Sequence, residues 1–283
     1  MKLENIIIEN YRQFDTAELA FDQGITILAG ANNSGKTSLI NLIRNVFVDE
    51  KNDYSVSDIP AKNMQEWIDW GYPVFADFFK SGKCVDTIDA ELVNLIIPED
   101  DTVPSHLMNT TCVKIHVSYD PDIDDIKMFV DYIMDLDEEV HDFYFLFDYE
   151  VTRSKFLRAI TDNYDKLKRR FDEIEEMSSS DKNLENNIEV KERYLKQLIV
   201  SIYVKSMVTF GYFCDKEFKN KCRFDDIKEF RKLFHFCFIK ASRPLDDDEL
   251  DHSHMLSKQM ISMVKLDDGW NEFVERLPDE LLM

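Results

Sequence analysis

The stretch Ile25-Thr26-Ile27-Leu28-Ala29-Gly30-Ala31-Asn32-Asn33-Ser34-Gly35-Lys36-Thr37-Ser38-Leu39-Ile40 decides how the chain is read. It reads as strand, loop and helix, in that order. Ile25 to Ala29 are apolar with β-branched residues, as a buried strand needs. Leu39, Ile40, Leu42, Ile43 and Val46 recur at helical spacing, so a helix is predicted to start near Lys36. Between strand and helix, Gly30 to Thr37 spell G-x-x-x-x-G-K-T, the phosphate-binding loop.

The residue types follow from the chemistry. Gly30 lets the chain turn off the strand, and Gly35 lets main-chain amides approach a phosphate with no side chain in the way. Asn32, Asn33, Ser34 and Ser38 complete the loop and the first helical turn, whose amides form an anion cradle at the positive helix end. Lys36 supplies a point charge for the β- and γ-phosphates, and Thr37 a hydroxyl ligand for Mg²⁺. These residues make ATP and Mg²⁺ the expected cofactors. The motif alone does not choose ATP over GTP, or hydrolysis over binding.

Upstream of the loop, Lys2 to Phe14 reads as a strand ending in a polar turn. Thr16 to Phe21 reads as a second strand paired back on the first. A short hairpin, then Gly24, a strand and G-A-N-N-S-G-K-T-S, resembles the opening of ABC-type ATPases of the SMC/RecF/OLD group (OLD, overcoming lysogenization defect). In that group the first strand runs into an N-[FY]-R-x-[FY] turn, here Asn10-Tyr11-Arg12-Gln13-Phe14. The resemblance covers residues 1–47, is fainter around 237–264 and very weak between. It implies an α/β fold: a P-loop NTPase with an ABC-ATPase-like mixed sheet and a helical insertion. It also implies that Arg12 reaches the bound nucleotide from the hairpin turn.

A chain of 283 residues with 44% apolar and 12% aromatic content can bury a large core, which excludes a disordered protein. Its net charge of −22 repels a phosphate backbone, so a broad nucleic-acid platform is not expected, although a local basic groove is compatible with it. Cys84, Cys112, Cys214, Cys222 and Cys237 form no C-x-x-C pair, which points to reduced thiols in a cytoplasmic protein. The first residues carry no basic-plus-apolar signal region, and no run approaches a membrane span.

Further along, Ala61 to Trp70 is compatible with a short helix, Tyr72 to Phe79 and Cys112 to Tyr119 look like strands, and Ile88 to Ile97 is helical or strand-like. Ile126, Phe129, Val130, Ile133, Met134 and Leu136 mark an amphipathic helix. Phe143 to Phe147 is a strand. With Asp148 it fits the h-h-h-h-D form of a Walker B strand, but Tyr149 stands where a Glu usually follows and no L-S-G-G-like signature precedes it. A half-buried strand ending in a charged turn is the preferred reading of Asp148. From Val151, apolar residues spaced three and four apart around Ser178-Ser179-Ser180-Asp181 predict two helices in an antiparallel hairpin, either an arm or a packed subdomain. Lys191 fills one seam position. Val204 to Phe213 is read as extending the second helix, and Asp225 to Phe234 as another. Phe236 to Ile239 looks like a strand returning to the sheet, followed by Lys240 to Leu245 and a helix over Leu256 to Val264. Arg243, at that strand end, is either a phosphate or partner-carboxylate contact or a surface residue paired with Asp246 or Asp247. Asp246 to Glu249, with His252 and His254 nearby, reads as a solvated acidic run and not as a known metal spacing.

The expected organisation is an N-terminal part of an ATPase head over 1–150, a helical hairpin or subdomain over 151–235, and a return strand with helices over 236–283. With neither a signature nor a convincing D-E Walker B, the chain is expected to hold the first half of a head. No catalytic residue is identified. The resemblance implies a homodimer closed by ATP, which controls a nuclease or other effector acting on DNA in repair or antiphage defence. Two alternatives stand beside this: a nucleotide-gated scaffold without turnover, and a P-loop kinase, which lacks an obvious arginine lid.

Overall fold

The computed structural model describes residues 1–48, 54–100, 102–134, 137, 139–180, 185–234 and 236. These fall into two compact units. One comprises Met1–Asp172 with Lys196–Phe236, and the other contains Glu173–Leu195. The first is built on a six-stranded sheet in the order β2-β1-β3-β4-β5-β6. Its strands are β1 (Lys2–Tyr11), β2 (Phe14–Ala20), β3 (Cys112–Ser118), β4 (Asp142–Val151), β5 (Met207–Cys214) and β6 (Lys221–Arg223). Every described pairing is antiparallel.

Alternation sets the two faces of the sheet. On β3, Val113, Ile115 and Val117 are buried while Lys114 and His116 are half-buried. On β4, Phe143, Phe145, Phe147 and Tyr149 turn to the buried face. That face is covered by α1 (Lys36–Phe47) and α7 (Ile227–Leu233), whose Leu39, Leu42, Val46, Phe47 and Phe230 share one core with it. Phe230 is the hub: its ring lies 4.6 Å from that of Phe147, 5.1 Å from Phe145 and 5.3 Å from Phe47. Burying each such ring contributes about 1.5–3 kcal/mol.

The opposite face carries a ladder of polar pairs. Lys114 meets Glu9 at 2.6 Å, His116 meets Asp142 at 2.7 Å and Lys221 meets Asp148 at 3.1 Å. Half-exposed pairs of this kind each add at most about 1 kcal/mol. Their stronger effect is on register, because a slip of one residue would put these polar side chains in the core.

Several elements differ from the sequence reading. Ile25 to Ala29 is not part of the sheet. Ile25 is 82% and Ile27 81% exposed, and among the described residues no strand pairs with this segment. Apolar β-branched composition specifies a strand only where a neighbour accepts its main-chain hydrogen bonds. Phe236 is described, but the rest of the anticipated return strand, Cys237 to Ile239, lies outside the described residues, as do Arg243, the run Asp246 to Glu249, His252, His254 and the helix over Leu256 to Val264.

Tyr72 to Phe79 is helical. It forms the second half of α2 (Ala61–Lys80), which carries Pro73 in its interior and buries Trp67, Ile68, Gly71, Phe75, Phe78 and Phe79. A helix stripe is read across turns, and the short run around a proline hid it. Asp89–Val93 is a π turn running into α3 (Asn94–Ile96). The helix expected from Ile126 is reduced to a 3-10 segment, Lys127–Tyr132. Helices α4 (Arg153–Asp162), α5 (Tyr164–Ser180) and α6 (Glu185–Lys205) occupy the stretch read as a hairpin. The second helix does not extend through Phe213, because the chain turns into β5 at Met207, where Val208, Phe210 and Tyr212 alternate with Met207, Thr209 and Gly211. Within the second unit, seam residue Lys191 pairs with Glu173 at 3.3 Å.

Candidate functional site

The loop sits at the start of α1. Gly35 caps the helix in the left-handed region, φ 85°, and no side chain accepts a hydrogen bond at this cap. Asn33 also has positive φ, 64°. Leu39 N–H donates to Gly35 O at 3.0 Å, closing the first turn. Gly35 is required twice over. Its φ favours glycine, and a Cβ there would lie 2.4 Å from the Phe14 ring and 2.7 Å from Gln13 Nε2. Gln13 Nε2 donates to Asn33 O at 3.4 Å, so the β1–β2 turn lies against the loop. Gly30 is tight as well, because its Cβ would meet Ser34 Oγ at 2.9 Å.

Lys36 Nζ spans the loop, donating to Gly30 O at 2.7 Å, Ala31 O at 2.6 Å and Ser34 Oγ at 3.1 Å. Asn32, Asn33, Ser34 and Thr37 are exposed, with Lys36 and Ser38 intermediate. A positive helix end with an ammonium beside it and no side-chain acceptor on its cap is the chemical requirement for holding an anion.

Arg12 is brought to this loop by the hairpin. Its NH1 donates to Ser38 Oγ at 2.9 Å. Its Nε and NH2 both reach Asp58 Oδ1, each at 2.8 Å, and its main-chain N–H donates to Asp58 O at 2.8 Å. Asp58 ends a 3-10 turn, Val56–Asp58, and is buried. Its Oδ2 accepts from Ser55 N and Ser55 Oγ, each at 2.8 Å. Both carboxylate oxygens are therefore engaged, which leaves this carboxylate poorly placed to act as a base. The hairpin turn is itself strained, with Asn10 at φ 55° and Arg12 at φ 53°. Thr111 Oγ1 donates to Asn10 O at 2.8 Å, and Asn63 Nδ2 donates to Asn10 Oδ1 at 3.1 Å, so the residue leading into β3 and a residue of α2 hold the strained turn in place.

Electrostatics around Asp58 are consistent with a fixed charge pair. Tyr11 is pushed up to about 12, first by burial and then by the charge of Asp58. Tyr54 is also pushed up to about 12, mainly by burial. Both remain neutral phenols at ordinary pH. Arg12 is raised: burial works against its charge, and the hydrogen bond to Asp58 with the neighbouring charges outweighs that.

Sequence reasoning missed Asp58. The signal was there in Ser55-x-x-Asp58, a serine followed three residues later by an acid, which is a capping pattern. Asp148 does not join the loop. It stands mid-strand on β4 with Lys221, on the face opposite the one that α1 covers, because α1 packs against Phe145 and Phe147. The half-buried strand of the preferred reading is present, but it runs on to Val151, so Asp148 is a mid-strand carboxylate paired with Lys221 and not the start of a charged turn. Among the described residues no group of three His, Cys, Asp or Glu could hold a metal ion. A cavity of about 350 Å³, walled by residues including Asn45, Val46, Gly211 and Arg231, lies at the far end of α1. The helix is 12 residues long, which separates that cavity from the loop by roughly 16 Å.

A family model described as AAA ATPase domain matches residues 1–262. The chain belongs to this AAA ATPase domain family. The domain is also similar to two DNA repair proteins over short stretches. It is 45% identical over 40 residues to the DNA double-strand break repair Rad50 ATPase of Methanosarcina mazei, covering 14% of this chain and 4% of that protein. It is 44% identical over 43 residues to the DNA replication and repair protein RecF of Shigella dysenteriae, covering 15% of this chain and 12% of that protein. The matches thus span a small part of these relatives' length. No solved structure matches the chain. The family makes this AAA ATPase domain an α/β P-loop NTPase, with the described sheet strands antiparallel.

Proposed function

We propose that the chain binds Mg-ATP on the Gly30–Ser38 loop and hydrolyses it in a head assembled from more than the residues described. The observation that carries this reading is the cap at Gly35: a left-handed glycine with no side-chain acceptor, next to Lys36, whose ammonium reaches across the loop to Gly30 O. In this reading Lys36 leaves its loop carbonyls to neutralise the phosphates, main-chain amides of the first turn bind phosphate oxygens, and Thr37 lends its hydroxyl to Mg²⁺. The exposure of Thr37 fits a metal held mostly by phosphate oxygens and water. Arg12 adds a second cation at the rim of the loop.

In the same reading the chain divides into a head over 1–150, an insertion over 151–235 and a return to the head over 236–283, and β5, β6 and α7, which lie inside the second stretch, are part of the head's sheet and core. Nucleotide-driven closure of a homodimer would control an effector, a nuclease acting on DNA, in repair or antiphage defence. Support for a DNA-related role comes from the names of the Rad50 and RecF relatives. No described helix is long and apolar enough to cross a membrane, which fits a cytoplasmic protein.

Calorimetric titration with Mg-ATP tests the loop. Lys36→Ala should abolish binding, and unchanged affinity in that variant overturns the assignment. A second reading, a nucleotide-gated scaffold without turnover, is favoured by one observation. Asp148, the one h-h-h-h-D acid singled out in the sequence, faces away from α1. Phosphate release by the protein alone and with candidate partners separates the two: tight binding with no release in either case rejects the hydrolase.

A further inference from the structure

We propose that Asp58 is a positioning residue that fixes Arg12 at the rim of the phosphate loop and so sets the affinity for the nucleotide's phosphates. The inference rests on the loop reading above. Its evidence is separate: the geometry of a hairpin turn and a 3-10 turn, neither of which belongs to the G-x-x-x-x-G-K-T motif.

Arg12 would be costly to hold where it is. Its guanidinium donates to Ser38 Oγ in the first turn of α1, beside Lys36 and Thr37. That is the positive end of a helix, already occupied by the ammonium of Lys36. A second cation there is opposed by the helix dipole and by Lys36. The backbone at Arg12 is also left-handed, a conformation that costs a non-glycine residue. Left to itself, an arginine with a long flexible stem would swing into solvent.

Three contacts from one residue prevent this. Asp58 takes Arg12 Nε and NH2 on Oδ1, and its main-chain oxygen takes the Arg12 amide. The fork fixes both the direction and the plane of the guanidinium, which a lysine could not reproduce. Asp58 is in turn held by Ser55 through Oδ2, so the carboxylate cannot rotate away. The result is a cation presented at 39% side-chain exposure over a helix end, with its partner only 8% exposed behind it. A charge pair built only for stability would have no reason to reach Ser38 as well. The arrangement is suited to an anion arriving at the loop: the phosphates relieve the repulsion between Arg12, Lys36 and the helix end, while Asp58 keeps Arg12 ready without crossing into the loop itself.

The test is a double-mutant cycle on Mg-ATP affinity, measured by calorimetry on the full chain, with folding checked by circular dichroism. Asp58→Asn and Arg12→Ala are each expected to weaken binding roughly tenfold to hundredfold, as loss of a hydrogen bond to a charged group does. The double variant should bind no more weakly than Arg12→Ala alone, because Asp58 acts through Arg12. A merely structural Asp58 would cost affinity in the Arg12→Ala background too, and additive losses overturn the proposal. Arg12→Lys keeps the charge, leaves the buried carboxylate in place and removes the fork. It should weaken binding at least roughly fivefold, and wild-type affinity in Arg12→Lys overturns the proposal even if Asp58→Asn does not fold. Lys36→Ala separates the two levels. If it abolishes binding while the Arg12 and Asp58 variants bind normally, only the positioning role falls. If Lys36→Ala binds normally, the loop reading falls.

Discussion

Arg231 Nε donates to the main-chain oxygen of Val46 at 3.1 Å, tying the last turn of α7 to the last turn of α1. A second donor of the same guanidinium, NH2, reaches Asn45 O at 3.0 Å. These carbonyls belong to the negative end of the helix that begins at the loop, so the cation is placed where the dipole favours it. Arg231→Ala should cost about 1–3 kcal/mol of stability, because it leaves part-buried carbonyls without their donor. Denaturant titration checks this, and Arg231→Lys should recover only part of the loss, since an ammonium cannot reach both oxygens with the same fork.

Gly35→Ala should be more damaging than a single methyl suggests. It forces a left-handed conformation on alanine and drives Cβ into Phe14 and Gln13. The backbone term alone is about 1–2 kcal/mol. The hairpin must also move off the loop, so nucleotide binding should fall together with the melting temperature. Thermal melts and calorimetry on the same sample test both, and wild-type values in both would contradict the geometry.

Phe230→Ala should destabilise the sheet unit by about 3–5 kcal/mol, the range for emptying a fully buried aromatic site. Phe230 is 0% exposed and touches rings from α1 and β4. Urea unfolding followed by fluorescence would register the shift in midpoint. A loss under 1 kcal/mol would mean that α7 does not pack where it is described.

The thiols should sort by burial. Cys84 and Cys222 are exposed, while Cys214 is buried and Cys112 intermediate. Burial raises the Cys214 thiol to about 12 and holds Cys112 far above its ordinary value, with Asp148 adding to both. The thiolate is the reactive form, so a raised value means a slower thiol at any pH below it. Iodoacetamide near pH 8 should label Cys84 and Cys222 first, and Cys112 and Cys214 only on unfolding. Peptide mass spectrometry reads the order.

Much of the sheet was legible. Asn10-Tyr11-Arg12-Gln13-Phe14 marked the hairpin turn, and Cys112 to Tyr119 read as a strand, on which the structure buries Val113, Ile115 and Val117 on one face. The turn into α1 was legible because a left-handed position such as Gly35 favours glycine. What failed were elements whose identity comes from distant partners. Tyr72 to Phe79 is a helix because Trp67 and Ile68 one turn earlier share its buried stripe. Met207 to Cys214 is a strand because β4 offers it a partner. Asp58 stayed hidden for the same reason. Its partner Arg12 is 46 residues away, and only the fold brings the two together.

Strand β2 lies at one margin of the described sheet, with only β1 beside it. An open margin of this kind can recruit a foreign strand, yet Asp15 and Glu18 both project from it into solvent. Two such margins approaching each other would meet as like charges, on molecules that each carry a net −22. That repulsion is a colloidal brake, and it is released by acid. Near the isoelectric point of about 4.6 the chain should begin to self-associate through this margin before its aromatic core gives way, and light scattering should then rise ahead of any change in fluorescence.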